Sequence, residues 1–439
     1  MPNSIEPSPI ETATIRRVAV RIIPFLMICY FIAFVDRVNA GFAALQMNQD
    51  IGLSAAAFGL GGGLFYISYV LCEIPSNLAM QKVGARIWIA RIMISWGLVA
   101  ACMALVVGPY SFYAMRLLLG AAEAGFFPGV ILYLTYWFPA QYRGRIVALF
   151  MVAIPLSSFF GSPLSASLLQ LDGLWGYRGW QWMFVLEALP AVVLGIAALF
   201  YLSDGPEDAR WLTAAQREWL LGRLAEEKLS PKATAGHLSL WQVMTNKYVL
   251  AASLIYAGAS GASQCLSLWQ PQIIKSFGLT NIQTGLLNSI PFGLASVLMI
   301  LWGRSSDRLH ERRWHTAIPL GLLAASLGVA PLTNDLAPTI GILCVAVTAT
   351  YIVKGPFWAL TTEWMSAGVA AAAIAQVNAI GNLGGFFGSY LLGAIKEATG
   401  SYALGLLPLG LVSALGCLLT IVLGRNERGA IEMKHGTVY

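Results

Sequence analysis

Five ionisable side chains stand inside long apolar runs. A charge at bilayer depth costs at least about 2.5–3.5 kcal/mol, and it persists mostly where it faces a cavity or a partner. Asp36 and Arg37 occur in F-V-D-R-V-N-A-G, Arg116 and Glu123 in R-L-L-L-G-A-A-E-A-G-F-F-P-G, and Lys354 in Y-I-V-K-G-P-F-W. Acids can take up and release a proton; cations beside them can hold an anion. Asp36 and Arg37 lie roughly 21 Å of helix from the inner end of their span. Arg116 and Glu123 are nearly two helical turns apart, so both point the same way. Two readings follow for these four residues. They could form a static ion-pair lock, or one or both acids could bind a proton that the arginines couple to substrate or to conformation. The second is favoured, because apolar packing meets a purely structural need at lower cost. Lys354 has no acid close by in the sequence. Facing a cavity it would attract an anion; otherwise it would snorkel or bind carbonyls.

The composition says what must position these groups. Of 439 residues, 57% are hydrophobic and 44 more are Gly, while only 11% are charged, against roughly 25% in soluble domains. The solvent must be lipid. A helical span needs about 20 mostly apolar residues. The chain offers twelve, near 22–45, 57–80, 87–107, 110–138, 146–171, 180–202, 248–274, 282–303, 314–333, 338–364, 369–395 and 402–424. These runs are too long and too uniform for a transmembrane β-barrel. The expected architecture is an all-α membrane protein with an N-terminal six-helix bundle (1–202), a polar cytoplasmic linker (203–247) and a C-terminal six-helix bundle (248–439). A short amphipathic helix is expected in the linker around Glu218 to Lys228.

Orientation follows from Lys and Arg. Of the 27, Arg178, Lys275 and Lys396 fall in loops on one side, and Arg37, Arg116 and Lys354 lie deep in spans. The rest share the side of both termini, which is therefore expected to be cytoplasmic. Basic residues spread over short loops argue against a nucleic-acid partner, despite the net charge of +6. The six Cys (29, 72, 102, 265, 344, 417) lie in apolar runs without a C-x-x-C or a neighbouring His, so no metal site or disulfide is expected. His237, His310, His315 and His435 all fall in expected cytoplasmic segments, which leaves any proton work in the membrane to carboxylates. An enzyme would need a triad or metal cluster that the membrane part lacks.

Other polar groups in spans could bind a ligand or join helices: Tyr69, Tyr256, Gln264, Trp269, and Asn378 with Asn382 one turn apart on one face. Trp269, Phe357 and Trp358 could form an aromatic wall suited to an aromatic or rigid diacid. Glu73, Glu187 and Glu363 read as interfacial or structural. F-F-G-S occurs at Phe159–Ser162 in the fifth span and again at Phe386–Ser389 in the eleventh. Its recurrence six spans later suggests two similar halves around a central cavity.

With these features the chain resembles the major facilitator superfamily over nearly its whole length. W-G-R-S-S-D-R-L-H-E-R-R resembles that superfamily's G-x-x-x-D-R loop, through Gly303, Asp307 and Arg308; in the first-half copy, N-L-A-M-Q-K-V-G-A-R, Gln81 stands where the acid usually is. V-D-R, E-I-P-S-N, R-x-x-x-G-x-x-E-A-x-x-F-P-G and G-P-F-W-A-L resemble the anion:cation symporter family. The resemblance implies a major facilitator fold and proton-coupled import of an organic anion by alternating access. It also implies Asp36 and Glu123 as proton carriers, Arg37 and Arg116 as their partners, and Tyr69, Tyr256 and Asn378 on the ligand side. Lys354 is expected to be a second carboxylate anchor. The expected setting is a bacterial inner membrane and a monomer, with the proton as coupling ion and no cofactor. An exchanger or uniporter with structural membrane charges is the alternative.

Overall fold

The computed structural model describes residues 8–229, 240–364 and 367–424, and every regular element in them is helical. In the first half are α1 (Pro9–Asp50), α2 (Ala55–Val83), α3 (Ala85–Cys102), α4 (Pro109–Glu123), α5 (Phe126–Thr135), α6 (Ala140–Leu168) and α7 (Gly179–Tyr201). The connecting segment holds α8 (Ala214–Leu229) and α9 (Leu240–Met244). The second half has α10 (Lys247–Lys275), α11 (Asn281–Leu309), α12 (Arg313–Val329), α13 (Leu336–Ile352), α14 (Lys354–Trp364), α15 (Ala367–Thr399) and α16 (Tyr402–Leu423). Side-chain caps start several of them: Ser54 accepts from Ala57 N–H, Thr280 from Gln283 N–H and Ser401 from Leu404 N–H.

Among the described residues, 11 helical segments are long and apolar enough to cross a membrane. The twelfth expected span, α15, has 33 residues but dilutes its apolar side chains with Gln376, Asn378, Asn382 and several Gly. It packs against α10 in its own half and α2 in the other, so much of it faces protein. The amphipathic linker helix is α8, anchored to the first half where Arg143 meets Glu227 at 3.0 Å. His237 and His435 lie outside the described residues. The cysteines in the described residues are all free.

The fourth and tenth spans are each broken, and both breaks fall at a charge. α4 ends on Glu123, and Gly125 takes φ +86° before α5 begins. An L side chain there would be strained, and its Cβ would also run into Ser76. In the second half α13 ends at Ile352 and α14 starts on Lys354. Broken helices at membrane depth are placed where backbone lines a cavity.

The halves close on each other at the end away from the linker. Hydrogen bonds across that seam join Asn48 to Gln272 and Asn288 to Ser162, and Ala56 N–H to the Glu397 carboxylate. Glycines allow the approach: a Cβ on Gly41 would lie 2.6 Å from Leu268 O, and one on Gly59 2.5 Å from Ser389 O. Both F-F-G-S segments lie on this seam. Phe159 faces Gly293 and Ser162 faces Gly285, while Phe386 faces Gly63 and Ser389 faces Gly59. Among the described residues, the crossing hydrogen bond nearest the linker end is Asn378 to Glu73, 3.1 Å.

The loop motif lies at the linker end, away from the cavity. Asp307 is exposed and pairs with Arg312 at 2.6 Å. Next to it, Glu311 accepts from the N–H groups of Trp314 (2.6 Å) and His315 (3.1 Å) at the start of α12, and meets His315 Nδ1 at 2.8 Å. Burial raises the Glu311 pKa, but these hydrogen bonds to its ionised form outweigh that and leave it below the ordinary 4.5. A depressed acid stabilises the fold above its unfolded pKa and loses that contribution as pH falls through the folded value. Acidification below about pH 4.5 should therefore loosen the start of α12. Amide exchange at Trp314 and His315 should speed up there, and Glu311→Gln should remove the pH dependence.

Candidate functional site

A cavity of about 130 Å³ lies between the halves at the depth of the two helix breaks. That is room for on the order of ten water-sized groups. Arg37, Arg116 and Lys354 line it, against the carboxyls of Asp36 and Glu123. Three cations facing two acids leave an excess of positive charge in a place of low dielectric, which favours an anion.

Arg37 and Glu123 are bound to each other. The Arg37 Nε donates to Glu123 Oε1 at 2.7 Å, and Nη2 meets the same oxygen at 2.5 Å. The Glu123 side chain is only 3% exposed, whereas that of Arg37 is 27% exposed, so the cation is the partner that meets the cavity. Phe34 lies under the guanidinium at 4.7 Å and Tyr69 at 5.4 Å.

The expected pairing of the remaining charges needs correction. Arg116 does not pair with Glu123 although both lie on α4. It donates to the carbonyls of Gly61 and Gly62 on α2, at 3.4 Å each, and packs over Phe65. Residues two turns apart share a direction but stand about 10 Å apart along the axis, so each takes its own partner. Among the described residues no arginine pairs with Asp36 either. Neighbouring residues on a helix diverge by about 100°; Arg37 turns toward α4, and Asp36 accepts instead from Asn39 Nδ2 at 3.2 Å. Lys354 fits its expectation: no carboxylate among the described residues pairs with it, and its ammonium sits 4.3 Å from the Tyr351 ring centre.

Tyr69, Tyr256, Gln264, Asn378 and Asn382 all line the cavity. Gln264 Nε2 donates to Asn382 Oδ1 at 3.1 Å and to Ser260 Oγ at 2.9 Å. Gly381 and Gly385 on α15 leave the space that Tyr256 and Gln264 occupy. Asn378 spends its amide on Glu73 across the interface. Trp269, expected in an aromatic wall, is fully buried. Its indole N–H binds Ser389 O, and its ring meets Phe58 edge-on, making it a strut rather than a lining residue. Phe357 stacks on Tyr256, and Trp358 packs against it at a tilt. The aromatic lining comes mostly from the first half, through Tyr30, Phe34, Phe65, Tyr66, Phe126 and Phe127; aromatics among so many apolar residues give no sequence signal of which way they face.

Of the two roles expected for Glu187, interfacial or structural, its place excludes the first: it is buried in α7, 4% exposed, and accepts from Ser165 Oγ at 2.7 Å. Its position several residues inside an apolar run was the available signal. The side chain of Glu363 lies outside the described residues.

A two-half helical bundle spanning a membrane, with one ion pair and further charges on a central cavity closed at one end, suits a transporter. The chain belongs to the Major Facilitator Superfamily, whose model matches residues 26–389. A protein of Agrobacterium vitis provisionally named a tartrate transporter is 47% identical over 97% of this chain and 94% of its own. The quinolone resistance transporter of Acinetobacter baumannii is 40% identical, over 95% of this chain and 96% of its own. Among solved structures, a bacterial homologue of the human lysosomal transporter Spinster, inward-facing and unoccupied, matches with a TM-score of 0.75 over 97% of this chain and 100% of its own. At 15% identity that likeness is one of fold.

Proposed function

We propose that this protein is a proton-coupled importer of a small organic carboxylate, of the anion:cation symporter kind. The observation that carries the reading is the Arg37–Glu123 pair on a cavity shared with Lys354, which pairs with no carboxylate among the described residues. While Glu123 is ionised it occupies Arg37. A proton on Glu123 cancels that attraction and frees the guanidinium for a substrate carboxylate. Proton and anion then favour each other's binding, which is the coupling a symporter needs. Asp36 is the second proton carrier, Arg116 holds α2 and α4 together beside the site, and Lys354 anchors a second carboxylate. The tartrate transporter name of the relative supports a dicarboxylate. By the Lys and Arg bias, the linker end and both termini face the cytoplasm of a bacterial inner membrane. The cavity is then closed on the outside, and the two halves rock about it in a monomer, tethered by 203–247.

Purified protein in liposomes with an inward proton gradient should concentrate a radiolabelled dicarboxylate, and dissipating the gradient should abolish the effect. Uptake that only equilibrates, with or without the gradient, would establish the exchanger or uniporter alternative. Lys354→Gln removes one charged hydrogen-bond donor, worth about 1.5–3 kcal/mol. It should weaken a dicarboxylate roughly 10- to 100-fold while leaving a monocarboxylate analogue nearly unchanged, read as the shift of thermal stabilisation with ligand concentration.

A further inference from the structure

The seam that shuts the end away from the linker packs closely at glycines, yet it also carries side-chain amides that closure leaves short of partners. Asn288 on α11 and Gln270 on α10 are both fully buried. Asn288 Nδ2 donates across the seam to Ser162 Oγ at 2.8 Å, and Gln270 Nε2 donates to the Asn288 backbone oxygen at 3.3 Å. Their other ends, Asn288 Oδ1 and Gln270 Oε1, have no hydrogen-bond partner among the described residues. Ser162 gives its own proton to Ser158 O at 2.6 Å, so toward Asn288 it can only accept. Asn48 and Gln272 repeat the pattern nearer the helix ends. One long bond of 3.4 Å joins them across the halves, while Asn48 Oδ1 and Gln272 Nε2 are buried without a partner among the described residues.

A hydrogen bond between amides adds little net stability, because water offers the same bond in exchange. A buried end left unmade loses its hydration outright. These side chains therefore disfavour the closed arrangement more than their crossing bonds favour it. Separation of the halves at this end would admit water to all four unpartnered ends. Apolar side chains would shut the same end without that cost, and 57% of the chain is apolar. Amides at fully buried seam positions thus break the local rule, as residues at functional sites do. The opposing contribution comes from packing, where Gly41 and Gly59 let the backbones of the two halves meet.

We propose that Asn48, Gln270, Gln272 and Asn288 form an outer gate that closure leaves under-bonded, so that water draws it open and the two facing states stay close in free energy. The gate rests on the alternating access of the proposed function and not on its proton coupling.

Asn288→Leu is the decisive variant. It deletes the crossing bond and the unpartnered oxygen together, and it leaves Ser162 bonded to Ser158 O. Spin labels at Val107→Cys and Leu332→Cys, with the exposed Cys102 replaced by Ser, read that end without substrate or gradient. Asn288→Leu should raise the ratio of closed to open about 3- to 10-fold, although it removes a hydrogen bond between the halves. Ser162→Ala strands the Asn288 amide nitrogen as well, and should lower the ratio about 5- to 150-fold. The double variant should follow Asn288→Leu. Gln270→Met touches no crossing bond; it should shift the ratio in the same direction as Asn288→Leu, and it decides the matter if Asn288→Leu does not fold. Longer distances in Asn288→Leu or Gln270→Met would make these amides ordinary struts and overturn the gate, as would a ratio that neither variant moves. One distance shared by wild type and every variant would overturn alternating access and the gate together. Uptake that only equilibrates, beside a ratio that shifts as described, would remove proton coupling and support the gate.

Discussion

Liposomes carrying Glu123→Gln are expected to equilibrate substrate without concentrating it when a proton gradient is imposed, while internal and external substrate continue to exchange. The reason lies in what Arg37 touches. Both of its contacting nitrogens fall on Glu123 Oε1, so the neutral amide releases it permanently. Substrate binding should then lose the part of its pH dependence that comes from Glu123 and, at alkaline pH, tighten by about 10-fold, the equivalent of about 1.4 kcal/mol no longer spent on displacing a carboxylate. Breaking a buried pair ordinarily costs about 3–5 kcal/mol because a charge is stranded. Here the residue left alone is the partly exposed cation at the cavity wall, so the loss of thermal stability should fall at or below the lower end of that range. A Glu123→Gln protein that still accumulates substrate as wild type does would remove this pair from the coupling mechanism.

The second large effect is expected from one methyl group. Gly59→Ala improves the helix propensity of α2 by up to about 1 kcal/mol, so the helix itself should not suffer. Its Cβ would nonetheless press on the backbone oxygen of Ser389, 2.5 Å away, which cannot swing aside. Overpacking of this kind costs about 1–3 kcal/mol, charged only to the state in which the halves meet at that end. The ratio of closed to open at that end should fall about 5- to 150-fold. Spin labels at Val107→Cys and Leu332→Cys, both highly exposed, should report longer distances, and uptake should drop in proportion. Gly41→Ala should act in the same direction through Leu268 O. Unchanged distances in both variants would show that the seam is not what holds this conformation.

Depth was legible in the amino-acid sequence; direction was not. The apolar runs located the spans, and the cost of a membrane charge singled out Asp36, Arg37, Arg116, Glu123 and Lys354, all of which line one cavity. The F-F-G-S recurrence pointed to duplication, and the structure seats each copy against glycines of the other half. Partners were harder. Arg116 and Glu123 share a face, but two turns of separation hand one to carbonyls and the other to Arg37. Glu187 could be read only as interfacial or structural, because its partner, Ser165, sits on another helix. Trp269 looked like a ligand wall because nothing local reveals that Ser389 O takes its N–H.

The makeup of α15 bears on how the chain reaches the membrane at all. Gln376, Asn378, Asn382 and its glycines suit a helix wedged between α10 and α2, yet they leave it little reason to leave a protein-conducting channel for lipid by itself. During synthesis it should wait at the translocon until the strongly apolar α16 emerges, and enter the bilayer as one of a pair.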